Sequence, residues 1–209
     1  DNRSTDGTLA ALASIGDSAL MVVDEPQFAY HQADTMNRLA EMAHGADWIV
    51  PFDADEWWDS ADGRIADVLM PMIADATTTQ TWDMVPQPDD PPDPDPFARI
   101  TRYRHGSLWS RPTYGKVAFR PAPGRRLTMG NHSIAGEVQP PVGPLRLRHY
   151  PFRSFDQARA KLRHGREALR AAGSRPAEGF HWQQWGLYGD DRLRRWWAEW
   201  TNPEGLATW

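Results

Sequence analysis

Apolar positions along the chain fall into two kinds of block. Ala19-Leu20-Met21-Val22-Val23 and Trp48-Ile49-Val50-Pro51-Phe52 are short continuous runs bounded by turn residues, the pattern of buried strands. Gln80–Val85, Lys116–Arg120, Arg126–Met129 and Leu145–His149 read as further short strands. Helical spacing appears in Leu9–Ser14, with Thr8 as a cap, and in Ala33–His44, where Met36, Leu39, Ala40 and Ala43 share a face. Arg64–Ile73 is a helix shortened or kinked at Pro71. Ser154–Ala171 carries the clearest helical pattern: Ser154 caps it, Phe155, Ala158, Leu162 and Leu169 line one face, and Gly173 and Pro176 lie beyond its end. A last helix is expected over Asp190–Trp200. Asp1–Thr8 reads as a polar loop. The alternation of strand and helix predicts an α/β domain with a mostly parallel sheet flanked by helices.

Two segments interrupt this pattern. Pro86–Pro96 holds six prolines and four aspartates in eleven residues, which excludes a helix or inner strand and predicts a solvated, mobile loop. The tail from Phe180 carries six of the eleven tryptophans. The expected division is a main domain over 1–175 and a helical, Trp-rich extension over 176–209, with no internal repeat.

Composition narrows the chemistry. The absence of cysteine excludes disulfides, thiolate metal sites and a thiol nucleophile. The longest apolar runs are far too short to cross a membrane. The net charge of −5 conceals a division: residues 1–100 hold 4 Arg against 20 Asp and Glu, and the other half holds 19 Lys and Arg against 8 acids. Such a split fits two halves that attract each other, or acids that hold a cation beside bases that hold its anion. Only Lys116 and Lys161 are lysines.

The strongest candidate for chemistry is Phe52-Asp53-Ala54-Asp55-Glu56-Trp57-Trp58. An apolar strand delivers three carboxylates to its end, and two of them at i, i+2 suit a hard cation such as Mg²⁺ or Mn²⁺. An acidic turn capping the next element is the plainer reading. Trp57 and Trp58 stand where EF-hand and Asp-x-Asp-x-Thr phosphatase patterns require other residues. Their rings beside the acids suit stacking on a sugar. The second candidate is Asp1-Asn2-Arg3-Ser4-Thr5-Asp6-Gly7-Thr8, which by itself is an Asx-rich turn.

Taken together these segments resemble family 2 glycosyltransferases of the GT-A fold, in a bacterial Asp-x-Asp-Glu-aromatic branch. Asp1–Thr8 is similar to the family's nucleotide-contacting segment and Phe52–Glu56 to its Asp-x-Asp signature. Asn131-His132-Ser133 and Arg148-His149-Tyr150-Pro151-Phe152-Arg153-Ser154 resemble later segments. The resemblance spans about residues 1–170 and implies a strand, a helix and a strand ahead of Asp1, so the chain is expected to be an N-terminally truncated piece of such a domain. It implies a nucleoside diphosphate sugar donor contacted by Asp1, Asn2, Asp6, Asp53 and Lys116. It implies Mn²⁺ or Mg²⁺ on Asp55, with Asp53 supporting the ribose or the metal, and His149 as a third ligand. Transfer is expected to invert the anomeric centre. Glu56, Glu137 and His132 are the candidates for the base, with His132 alternatively a phosphate contact. The Arg153, Arg159 and Lys161 region is a further candidate for the diphosphate.

The acceptor class stays open among glycan, lipid-linked and protein hydroxyls, as in polysaccharide biosynthesis. No nucleic acid is expected. A cytoplasmic location is expected, with peripheral membrane attachment as one option for the basic half. The competing functional classes are a non-catalytic carbohydrate- or nucleotide-binding domain and a metal-dependent hydrolase or nucleotidyltransferase.

Overall fold

The computed structural model describes residues 1, 4–25, 29, 31–61, 63–105, 114–173 and 179–209. Two helices come first, α1 (Thr8–Ile15) and α2 (Gln32–Met42). Strand β1 (Glu56–Asp59) and a short α3 (Ile65–Leu69) lead to the long β2 (Ala76–Met84). A one-turn α4 (Pro96–Arg99), β3 (Arg102–His105) and β4 (Tyr114–Phe119) follow. A 3-10 turn (Met129–Asn131) precedes β5 (Val142–His149). The chain closes with α5 (Phe155–Ala171), α6 (Phe180–Trp185), α7 (Asp190–Trp200) and a two-residue β6 (Ala207–Thr208).

The domain is α/β, with a six-stranded mixed sheet flanked by helices. Its order is β1-β5-β2-β3-β6, and β4 lies against the first part of β2. Among the described residues only β2 and β5 run parallel; the other four pairs are antiparallel. The expected mostly parallel sheet is therefore corrected. Parallel neighbours need long helical crossovers, and α3 and α4 have only five and four residues. The apolar block Ala19–Val23 also stays out of the sheet, with Leu20, Met21 and Val22 exposed. An apolar run becomes a strand only where a neighbour offers it a ladder. Here the Asp1 amine donates to Val23 O at 2.7 Å and Glu25 N donates to Asp1 O at 2.7 Å, with no strand formed. Trp48–Phe52 is extended but joins through one bridge, Ile49 to Phe119.

Helices cover the sheet where apolar positions coincide. α3 lays Leu69, Ile65 and Val68 on Trp58, Ala118, Leu145 and Leu147. α2 lays Met36 and Ala40 on Val117, Phe119, Leu127 and Ile134, and the Asn37 amide pins it by pairing with Leu127 N (2.7 Å) and O (3.0 Å). α3 ends just before Pro71, as its sequence requires. At α5 the Ser154 hydroxyl accepts from Gln157 N at 3.2 Å, and Ala158, Leu162 and Leu169 are its buried face.

The proline-rich segment is tied at both ends. Val85 is fully buried, Gln87 Nε2 donates to Thr201 O at 3.1 Å, and Asp95 caps α4 through Phe97 N at 2.9 Å. Asp89 takes both guanidinium nitrogens of Arg102. The segment between is held by these anchors. The boundary expected at 175/176 lies outside the described residues. The tail's Leu193 and Trp200 share one core with Val85, Phe152, Ala158 and Leu162, and β6 adds a strand to the sheet beside β3. No helix among the described residues is long and apolar enough to cross a membrane.

Candidate functional site

One row of the sheet assembles the site. Strand register places Glu56 opposite His149 and His149 opposite Asp83, across β1, β5 and β2. Residues paired in this way point to the same face. β2 and β5 are the parallel pair, and Asp83 and His149 stand at their C-terminal ends, the edge where open α/β sheets place ligands. The turn before β1 then adds Asp53 and Asp55.

The first cluster centres on Lys116. Its side chain is 2% exposed, and Nζ donates to Asp53 Oδ2 at 2.7 Å and Gly130 O at 2.9 Å, with Glu56 Oε1 at 3.3 Å. Glu56 Oε2 accepts from Asp53 N at 2.8 Å, so both Glu56 oxygens are committed. Gln32 on α2 donates to Asp53 Oδ1 at 2.8 Å and accepts from Gly130 N at 2.9 Å, closing the ring. Burial works against the Lys116 charge, but Glu56 and Asp53 outweigh it and hold its pKa above the usual ammonium value. Burial pushes the Glu56 carboxyl above its usual range, and Lys116 opposes this without cancelling it.

The second cluster centres on Asp55. The Lys161 ammonium, reaching from α5, sits on Asp55 Oδ2, and the same oxygen lies 3.8 Å from His149 Nε2. His149 Nδ1 is held at 2.7 Å by Asp83, which is fully buried. Burial opposes the charge of Asp55, yet Lys161 and His149 hold its pKa below the usual carboxylate value. Burial alone would lower the His149 pKa; the Asp83 hydrogen bond and charge, with Asp55, raise it instead.

Against the first cluster lies the turn Met129–Asn131 with His132, joined to it through Gly130. Gly130 adopts φ 78°, and a side chain there would strike the His132 ring. Asn131 has φ 59° and is fully buried, and among the described residues neither amide atom has a hydrogen-bond partner. His132 Nδ1 lies 3.1 Å from Gly115 O, which only accepts; Nδ1 is thus the donor of the neutral ring and Nε2 its acceptor, with no hydrogen-bond partner among the described residues. One edge of His132 meets solvent, yet the protein packed on its other side and the Lys116 charge hold its pKa below the usual imidazole value.

The other predicted residues separate. Asp1 accepts from Ser4 N at 3.2 Å and lines an open cleft of about 370 Å³ that Leu20, Val22, Leu39 and Gln32 also line. Asp6 is an Asx turn: Oδ1 accepts from Thr8 N at 2.9 Å and Thr8 Oγ1 at 2.5 Å, so Asp6 rather than Thr8 holds the start of α1. Asn2 lies outside the described residues. Glu137 pairs with Arg125 at 2.8 Å. Trp58 is core, donating Nε1 to Pro51 O at 3.0 Å, and Trp57 lies on the opposite face of β1 from Glu56, against Phe97 and Arg148. The expected pair of stacking rings beside Asp55 is therefore corrected, because alternation along β1 sends them to different faces. Phe52, 62% exposed, is the aromatic ring open to solvent next to Asp53.

Three further residues stand around these clusters: Asp83, Gln32 and His181. Asp83, a carboxylate inside the apolar Thr81-Trp82-Asp83-Met84-Val85, carried a visible signal, because a buried strand acid needs a partner. Gln32 carried none. His181, on α6, has a pKa lowered to about 4 by burial and by the nearby Lys161 and His149. Among the described residues no group of three or more His, Asp or Glu side chains converges to hold a metal ion. Asp55 and His149 offer two ligands, and Asp83 orients the imidazole as a metal-bound histidine requires. No protein family, curated protein or solved structure matches the chain.

Proposed function

We propose that this chain carries the donor-binding site of a glycosyltransferase that takes a sugar from a nucleoside diphosphate. One observation supports the reading above the others. The two aspartates of Asp53-Ala54-Asp55 are each held by one of the chain's two lysines, Lys116 on Asp53 and Lys161 on Asp55. A site of fixed carboxylates and adjacent cations suits a diphosphate whose charge grows as the bond to the sugar breaks.

Each residue has a part in this reading. The nucleoside lies in the cleft lined by Asp1 and Gln32, and Gln32 ties that cleft to Asp53. Asp53 accepts a ribose hydroxyl. Glu56, with both oxygens committed, keeps Lys116 in place and so acts as a positioning residue. His132 is the base: its Nε2 takes the acceptor hydroxyl proton, the oxygen bonds to the anomeric carbon, and the diphosphate leaves with the electron pair. A depressed pKa keeps that imidazole neutral at pH 7. A divalent cation, Mn²⁺ or Mg²⁺, would be held by Asp55 and His149, and its chemistry is to neutralise the departing diphosphate.

The test is titration of UDP, GDP and their sugars with and without Mn²⁺, repeated on Asp55→Ala. Metal-enhanced nucleotide binding lost in Asp55→Ala, with sugar transfer to an acceptor, supports the reading. Nucleotide-sugar cleavage to free sugar alone, or release of nucleoside monophosphate, points to a hydrolase or nucleotidyltransferase. Sugar binding indifferent to metal and to Asp55→Ala sinks the proposal.

A further inference from the structure

The two lysines of the site are not equivalent. Lys116 is nearly inaccessible and meets three acceptors, Asp53, Glu56 and Gly130 O, so its three N–H groups are used. Lys161 is 25% exposed, and among the described residues its ammonium meets two acceptors, Asp55 Oδ2 and Pro151 O at 3.2 Å. One N–H therefore has no protein acceptor there.

Its neighbours on α5 behave differently. Arg159 and Arg163 turn outward to Asp190 on α7, and Arg159 also meets Asp156. Lys161 turns toward the carboxylates, its ammonium 5.6 Å from the centre of the Phe152 ring. A basic helix face would have put it in solvent with the others.

Asp55 is also arranged to release it. His149 Nε2 faces the same Oδ2 at 3.8 Å, and Asp83 holds the ring there. When the ammonium shifts from Asp55 to an anion, the carboxylate still faces the His149 ring and is 20% exposed to water, which reduces the cost of leaving it without the lysine. Asp55, His149 and Lys161 are each partly exposed to solvent (20%, 19% and 25%).

We infer that Lys161 is a direct ligand of the donor diphosphate, moving from Asp55 to a phosphate oxygen, so that diphosphate binds here without a divalent cation. The inference rests on the donor site proposed above and adds a residue to it. A lysine serves as a compact point charge with rotatable donors, which suits an anion arriving beside a carboxylate.

The experiment titrates inorganic pyrophosphate, then UDP and GDP, into the 209-residue chain in EDTA, following ³¹P line width and heat. Wild type is expected to bind, Lys161→Met to bind at least about tenfold more weakly, and Lys161→Arg to bind within a few-fold of wild type. Asp55→Asn is the second variant: it frees the ammonium and removes a repelling charge, so pyrophosphate binding in EDTA is expected to strengthen. A site bridged only by metal would bind no pyrophosphate in EDTA, in wild type or in this variant. No pyrophosphate binding by wild type in EDTA, or equal binding by Lys161→Met, overturns the inference. Pyrophosphate binding through Lys161 without any nucleotide-sugar turnover keeps this inference and removes the transferase. Turnover that needs Mn²⁺ and ignores Lys161→Met does the reverse.

Discussion

Asp83 and His149 form a buried couple: the Asp83 carboxylate holds His149 Nδ1 at 2.7 Å and so aims Nε2 at Asp55. This relationship orients the imidazole, and the Asp83 hydrogen bond and charge raise its pKa. Asp83→Asn is expected to lower the His149 NMR titration midpoint and to cost about 1–3 kcal/mol. The pH dependence has a definite sign. A histidine whose folded pKa is raised contributes full stability below its unfolded value of about 6.5 and loses it as pH rises through the folded value. Wild type should therefore outlast Asp83→Asn by most at pH 6, and the gap should narrow as pH rises through the folded value. Urea melts over a pH series upward from 6 check this, and an unchanged midpoint would refute it.

Lys116, itself nearly inaccessible, neutralises two carboxylates, the buried Glu56 and the partly exposed Asp53. Removing one partner of such a pair leaves uncompensated charge. Lys116→Met is expected to destabilise by about 3–5 kcal/mol. Lys116→Met with Glu56→Gln should recover part of this, because one of the stranded charges is gone. Urea midpoints of wild type, the two single variants and the double variant give the coupling.

His132 tests the chemistry. His132→Gln is expected to lower kcat for sugar transfer by about 10²–10⁴-fold with little change in KM. Its low pKa predicts that wild-type activity holds below the ordinary imidazole value of about 6.5 before falling on the acid side. A profile whose acid limb sits above that value, or a variant that keeps its kcat, assigns the base elsewhere.

Gly130 tests the turn that carries His132. Its φ of 78° and the ring behind its missing Cβ make it a position for glycine alone. Gly130→Ala is expected to cost about 1–3 kcal/mol in stability. It should also displace the carbonyl that Lys116 uses, which thermal melts and the Lys116 side-chain NMR signal would report. A melt within 0.5 kcal/mol of wild type, on the order of an ordinary surface change, would show that the turn yields freely.

Helices were readable wherever a stripe and a punctuation mark coincided. Ser154 and the spacing of Ala158, Leu162 and Leu169 gave α5 almost to the residue, and Asp190–Trp200 is α7 as expected. Pro71 marked the end of α3. Strand blocks were less dependable. Gln80–Val85 understated β2, whose threonines at 77–79 are buried yet polar. Ala19–Val23 matched the composition of a strand and is not one, because strand formation depends on a neighbour that composition does not reveal. For the site, the residue types at Asp53, Asp55, Glu56, Lys116 and His149 were readable. The partners Gln32, Asp83 and Lys161 come from elements 21 residues before Asp53, 66 before His149 and 106 after Asp55.

The sequence by itself determined the local matters: helix starts and stops, the tethered proline segment's lack of regular structure, and the acidic turn after an apolar run. These depend on a few neighbouring residues and on backbone freedom, so they are written locally. Tertiary structure alone decided the mixed sheet, the row Glu56–His149–Asp83 and the division of labour between the two lysines. Strand register and cross-strand pairing are set by which surfaces bury each other, and that competition is settled by the whole chain at once.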